Sequence, residues 1–492
     1  MTYFLVGIGL LILGYFTYGR LVEKILGPDD RLTPAMKNPD GVDYVALPCW
    51  KNMLIQLLNI AGIGPVIGVI FGIKFGEIVF LIIPVGCVIA GATHDFLSGM
   101  MSMRDNGANL PKIIHDNLGE RYARVFSWFM IVLLLLVVAV FINVPANLCN
   151  GLFFPESNHF WLCVGVIFLY YVVATLFPVD KIIGSVYPFF GLLLLIGTFA
   201  IFIALLLACF HAPDLLTESE AFKEHMFHNE HAPVIPLLFV TIACGIISGF
   251  HATQSPIVAR TIKSERQARG TFYGMMIAEG IIGMIWAGAG MAIYNLYPQL
   301  MEGNPNATLL EITKHFLGNW MGGVTVVAVI VLAVTSGDTA LRSTRLSLAE
   351  ILHLNQKPGK NRLMIVLPLV AVVSLLLWWS NMNAKSFGFL WNYFAWGNQV
   401  LAASTLMAGA VWLEKQHKPC WIALIPGFFM TFIVCTYILW TSPAHKQAYG
   451  LGLDIHSARD LGMMVATIFS IYAVTRGLQI RLIKAEHPEE KK

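Results

Sequence analysis

The chain has 492 residues, of which 57% are hydrophobic and only 12% are charged. Soluble domains carry about 25% charged residues, so the composition excludes an ordinary soluble fold and indicates a polytopic membrane protein. The formal net charge of +3 does not indicate a nucleic-acid partner, because the basic residues fall in loops between apolar runs. The 8 cysteines form no C-x-x-C pair and most lie in apolar stretches, where they read as small buried hydrophobes and not as zinc or redox ligands.

Taken in order, the first apolar run, Thr2 to Gly19, lacks a basic n-region and is followed by Arg20 and Lys24. That pattern predicts an uncleaved first span. Apolar runs of spanning length predict thirteen spans, roughly 2–26, 52–73, 77–102, 122–145, 159–178, 184–210, 234–256, 271–296, 320–349, 362–380, 386–413, 419–441 and 458–480. The longest acidic and His-rich loop is 211–233, and a short amphipathic helix is expected at about 307–317. Of the 32 Lys and Arg, all but Lys74, Lys223, Lys314, Lys385, Lys446 and Arg459 follow odd-numbered spans. This asymmetry supports the count, places the C-terminus in the cytoplasm and leaves the N-terminus outside.

Two spans are poor material for a continuous helix. Span two contains A-G-I-G-P-V-I-G-V-I-F-G (61–72), and span seven contains Gly245, Gly249, His251, Gln254 and Pro256. In lipid, a backbone break survives only where it is buried in protein or lines a cavity. Two interrupted spans, five apart and of opposite direction, are what an inverted repeat of five plus five helices produces. The fold class expected is therefore an all-α polytopic membrane protein of about 13 helices. Its parts are 1–51 (first span and cytoplasmic loop), 52–210 (first repeat half), 211–233 (extracytoplasmic loop), 234–413 (second repeat half) and 414–492 (two further spans and a cytoplasmic tail).

Ionisable groups inside spans are functional candidates because lipid makes them costly. His94 and Asp95 lie in span three, where they either pair with a broken helix or mark its cytoplasmic end. Glu279 sits in the middle of span eight, as a proton carrier or a structural acceptor. His251 and Gln254 share the interrupted stretch of span seven. Thr335, Ser336, Asp338 and Thr339 fall within about one helical turn, and their oxygens suit a hard cation; the alternative is an i,i+4 pair between Asp338 and Arg342. Ala61, Gly62, Gly64 and Pro65, with Gly68 and Gly72, admit small-residue helix packing and an unwound segment whose amides meet an anion. The amides of 61–64 and of 249–252 are the expected carboxylate site. The aromatic run 387–396 and Trp378–Trp379 read as interfacial belts. There is no phosphate-binding G-x-x-x-x-G-K-[ST] loop, so transport is expected to be driven by an ion gradient, with H+ or Na+ as coupling ion and no cofactor.

At these residues the chain resembles the carbon starvation protein A (CstA) family. The runs that carry the resemblance are N-I-A-G-I-G-P-V-I-G (59–68), A-T-H-D-F-L-S-G (92–99), C-G-I-I-S-G-F-H-A-T-Q-S-P (244–256), F-Y-G-M-M-I-A-E-G-I-I (272–282) and T-S-G-D-T-A-L-R-S-T-R-L (335–346). The resemblance implies a shorter member of a family of bacterial inner-membrane permeases for peptides or pyruvate, linked to carbon starvation. It also implies kinship with the amino acid–polyamine–organocation superfamily and its LeuT-type fold. Spans two and seven would then be the broken core helices, and span nine would supply hydroxyl ligands to a cation. The function expected is a secondary active importer with a small-molecule substrate and membrane lipid as its surroundings. The alternatives are a nutrient sensor that binds without transport, and an intramembrane metalloenzyme using His94, Asp95 and His251.

Overall fold

A computed structural model describes the chain except residues 42–43, 177–178, 228–231, 303–304, 353, 355–358, 446–447 and 487–492. The described residues form helices joined by turns and loops, and no strand occurs among them. Nine described helices are long and apolar enough to cross a membrane, and the pair Cys49–Ile60 and Gly64–Phe75, bent by 55°, makes a tenth. The other three expected spans coincide with helices of a different kind. Phe160–Leu176 has 17 residues, the seventh span is a series of short segments ending in Gly249–Ala259, and Ala384–Glu414 is a 31-residue helix with Asn398 and Gln399 in its middle. The amphipathic segment before span nine is the first part of Pro305–Ile351, set off by Gly318 at φ 69°, ψ −178°.

Span two breaks where its residues cannot continue a helix. Cys49–Ile60 ends at Ala61 (φ −72°, ψ 53°), and the amide of Gly62 turns back to the Ile60 carbonyl at 2.7 Å. Pro65, which has no N–H to donate, then stands in the first turn of a π-helical segment, Gly64–Gly68. A side chain at Gly64 would strike the Cys244 side chain of span seven. The glycine-rich stretch is thus a break over 61–63 and a close-packing face from Gly64 onward.

The break in span seven is narrower than the interval Gly245 to Pro256. Only Ile247 (φ −160°, ψ 133°) and Ser248 (φ −134°, ψ 121°) are extended. His251, Gln254 and Pro256 belong to the helix Gly249–Ala259. Two residues suffice because the eleventh span meets the polar groups that they free. Asn398 Oδ1 accepts the Phe250 amide at 2.6 Å, Asn398 Nδ2 donates to Ser248 Oγ at 2.7 Å, and Gln399 Nε2 donates to the Ile247 carbonyl at 3.1 Å. A side chain at Gly249 would collide with the Asn398 carbonyl, so glycine is what lets the eleventh span come this close.

Candidate functional site

The third span places His94 and Asp95 in Ala92–Arg104, directly after a π-helical turn at Cys87–Gly91. The seventh span brings His251 and the eighth brings Glu279, in Met275–Leu296. These four side chains, on three spans, meet. His94 Nδ1 is 2.8 Å from Asp95 Oδ1, and His251 Nδ1 is 3.2 and 3.0 Å from the two Asp95 oxygens. His251 Nε2 is 3.7 Å from Glu279 Oε2. All four are at most 1% exposed. Asp95 therefore pairs with the interrupted seventh span. Beside them Ser98 Oγ and Ser255 Oγ share a 2.7 Å hydrogen bond.

Among the described residues, His94 Nε2, both Glu279 oxygens and both side-chain polar atoms of Gln56 and Gln254 are buried without a hydrogen-bond partner. Buried polar groups are normally satisfied, and each exception asks for an explanation. These groups lie on spans two, three, seven and eight.

The hydroxyl-rich stretch of span nine divides around its helix. Ser336 Oγ lies 3.4 Å from the carbonyls of both Leu58 and Asn59, and Thr339 Oγ1 lies 3.3 Å from Asn59 Oδ1. These oxygens stand beside the bend of span two and form an oxygen-only set of the kind that suits a hard cation. Thr335 Oγ1 donates within its own helix to the Leu332 carbonyl at 2.8 Å, and the Thr335 carbonyl accepts from Thr339. Asp338, two residues from Ser336 and so on the far side of the helix, is within electrostatic reach of Arg342, Arg345 and Tyr170. Neither of its oxygens accepts a hydrogen bond among the described residues. The four residues do not converge on one point: Ser336 and Thr339 face span two, while Asp338 faces span five.

The amides expected to bind a carboxylate are partly in use. Ala61 donates to Leu57, Gly62 to Ile60 and His251 to Ser248, and Phe250 donates to Asn398. Asn398 and Gln399 did not stand out in the sequence, although two adjacent amides in an apolar run are the signal. Part of the aromatic run 387–396 faces inward as well. Phe394 is 2% exposed, and its ring is 6.0 Å from Phe141, which is 6.0 Å from Phe250 at the break. Trp378 and Trp379 are 59% and 38% exposed.

The sequence profile described as carbon starvation protein CstA matches residues 1–160, 150–313 and 306–437. An uncharacterized membrane protein of Haemophilus influenzae is 38% identical over an alignment of 348 residues; the match covers 61% of this chain and 93% of that one. A protein of Bacillus subtilis named peptide transporter CstA is 26% identical over 332 residues; the match covers 56% of this chain and 55% of that relative. A solved structure of a manganese transporter from Eremococcus coleocola superposes with a TM-score of 0.58 at 12% identity, over 90% of this chain and 99% of its own. At that identity the likeness is one of fold, and the fold is LeuT-type. With its multi-pass helical core and a matching profile along most of its length, the chain belongs to the carbon starvation protein CstA family.

Proposed function

We propose that this chain is a secondary active transporter of the bacterial inner membrane. It imports small peptides or pyruvate, is coupled to a proton or sodium gradient, and serves cells starved of carbon. The observation that carries this reading is the meeting of two interrupted spans at a buried site whose carboxyl, imidazole and amide groups lack a full set of partners. Interrupted spans are where transporters of repeated architecture hold substrate and coupling ion. Gln56, Gln254 and backbone amides near the two breaks are the donors for a substrate carboxylate in this reading. Glu279 is placed to meet a peptide amine or to carry a proton, and the Ser336–Thr339 face beside Leu58 and Asn59 is a seat for sodium. The family names of relatives support peptides, and the small anion site suits pyruvate equally.

The test is uptake by proteoliposomes of labelled dialanine and labelled pyruvate under imposed proton or sodium gradients. Accumulation above the protein-free level, driven by one gradient, is the expected result. Binding of either compound without uptake under any gradient would overturn transport and leave a sensor.

A further inference from the structure

The four ionisable side chains of the site form an ordered line: His94, Asp95, His251, Glu279. The first three are in direct hydrogen-bonding contact, and the last step, from His251 Nε2 to Glu279 Oε2, is open at 3.7 Å. His251 is the member with both ring nitrogens engaged by carboxyls, Nδ1 toward Asp95 and Nε2 toward Glu279. An imidazole can accept a proton at one nitrogen and release another from the opposite one, which is why histidine serves as a shuttle. Glu279 has no hydrogen-bond donor among the described residues. A carboxyl group in that position sheds its desolvation cost by holding a proton, or by keeping a cation beside it.

The position of His251 in the fold ties this line to the moving parts. Asp95 and Glu279 stand on spans three and eight, away from either break, whereas His251 follows closely on the extended Ile247–Ser248. The carbonyl of Ile60, the last helical residue before the bend in span two, also faces the His251 ring. A change of angle at either break therefore shifts the ring relative to two fixed carboxyls.

Resting on the transport reading above, we propose that His94, Asp95, His251 and Glu279 are the proton-binding site of the cycle, with His251 passing a proton between Glu279 and Asp95 as its helix moves. In that step the Glu279 O–H bond breaks and an N–H bond forms at His251 Nε2. The N–H bond at Nδ1 then breaks, and an O–H bond forms at Asp95. One proton is transferred and nothing is oxidised or reduced. Asp95 then releases that proton, and a half-turn of the His251 ring exchanges Nδ1 and Nε2 and restores the starting arrangement, so each turn of the cycle moves one proton in one direction. The remaining titratable groups that face Glu279 are the thiols of Cys87 and Cys244. Cys87 donates to the Met276 carbonyl at 3.3 Å, and the Cys244 sulfur lies 3.4 Å from Asn398 Nδ2, so both are occupied elsewhere.

The experiment measures protons and substrate together, in proteoliposomes with a trapped pH dye and labelled dialanine or pyruvate. Wild-type protein is expected to move protons in a fixed ratio to substrate. In Glu279→Gln, and separately in Asp95→Asn, the proton flux is expected to fall to that of protein-free liposomes while any remaining substrate flux runs only down its own gradient. An unchanged ratio in Glu279→Gln overturns the relay, as does wild-type uptake that follows sodium with no proton movement. Wild-type protein that moves neither compound removes the transport reading itself, which is a separate outcome. Should the variants carry no substrate, proton uptake on binding dialanine or pyruvate is read in detergent. Its loss in Glu279→Gln supports the relay, and equal uptake overturns it.

Discussion

Glu265 and Glu279 are both buried carboxylates, at 1% and 0% exposure, on either side of the π-helical turn Arg269–Gly274. Glu265 is saturated. Arg104 donates to it through Nε at 3.2 Å and Nη2 at 2.9 Å, the Asp29 amide adds a bond at 3.2 Å, and Arg31 stands 3.7 Å away. Glu279 accepts no hydrogen bond among the described residues and has His251 at 3.7 Å. Glu265 thereby ties the loop after the first span to the end of the third and to the connection between the seventh and eighth. A completed network of this kind has a single favourable arrangement and acts as a fastener. An incomplete one keeps its options for another partner.

The largest expected effect comes from giving both residues the same substitution. Glu265→Met leaves Arg104, whose side chain is 9% exposed, without its carboxylate, at a cost of about 3–5 kcal/mol. Glu279→Met removes a buried polar group that has no donor and should leave stability unchanged or raise it by about 1–2 kcal/mol. Thermal unfolding in detergent reads both, and losses of equal size would erase the contrast. Next in size is Asn398→Ala, which takes the acceptor from the buried Phe250 amide and the donor from Ser248. It should cost about 1–3 kcal/mol, with hydrogen exchange at the Phe250 amide rising. Protection equal to wild type there would mean that the extended pair holds without the eleventh span.

The smallest effect concerns pH. Hydrogen bonds from the Arg31 side chain and amide hold the Asp29 carboxyl well below the usual carboxylate range. A depressed folded-state value gives stability that is complete above the unfolded value of about 4 and is lost as pH falls through the folded one. Because the Asp29 side chain is about half exposed, the contribution is under about 1 kcal/mol. Asp29→Asn should flatten the acid side of a melting-temperature titration below about pH 4. An acid limb as steep as that of the wild type would take Asp29 out of the fastener.

The sequence announced the breaks because glycine and proline inside an apolar run contradict a continuous helix, and Ala61 to Pro65 is such a run. It announced His94, Asp95, His251 and Glu279 one by one, since ionisable groups in lipid stand out. Their convergence was not legible, because it depends on how the third, seventh and eighth spans pack. The extent of the seventh break was also hidden. It is set by Asn398 and Gln399, far along the chain, and not by the local glycines. Ser336 and Asp338 looked like one site for want of the neighbours that show which face of the helix each occupies. Trp391 and Phe394, buried members of the aromatic run 387–396, could not be told from its half-exposed members for the same reason.

Gly318 bears on how the chain tolerates change. Its left-handed conformation (φ 69°, ψ −178°) interrupts Pro305–Ile351 between the preceding amphipathic segment and the ninth span, and helical phase is not transmitted through such a kink. A residue inserted before Gly318 lengthens the preceding segment and leaves the azimuth of Ser336, Asp338 and Thr339 as it was. A residue inserted between Gly318 and Thr335 turns all three by about 100°, carrying Ser336 and Thr339 off the carbonyls of Leu58 and Asn59. One glycine thus separates a stretch open to length variation from one in which every residue counts.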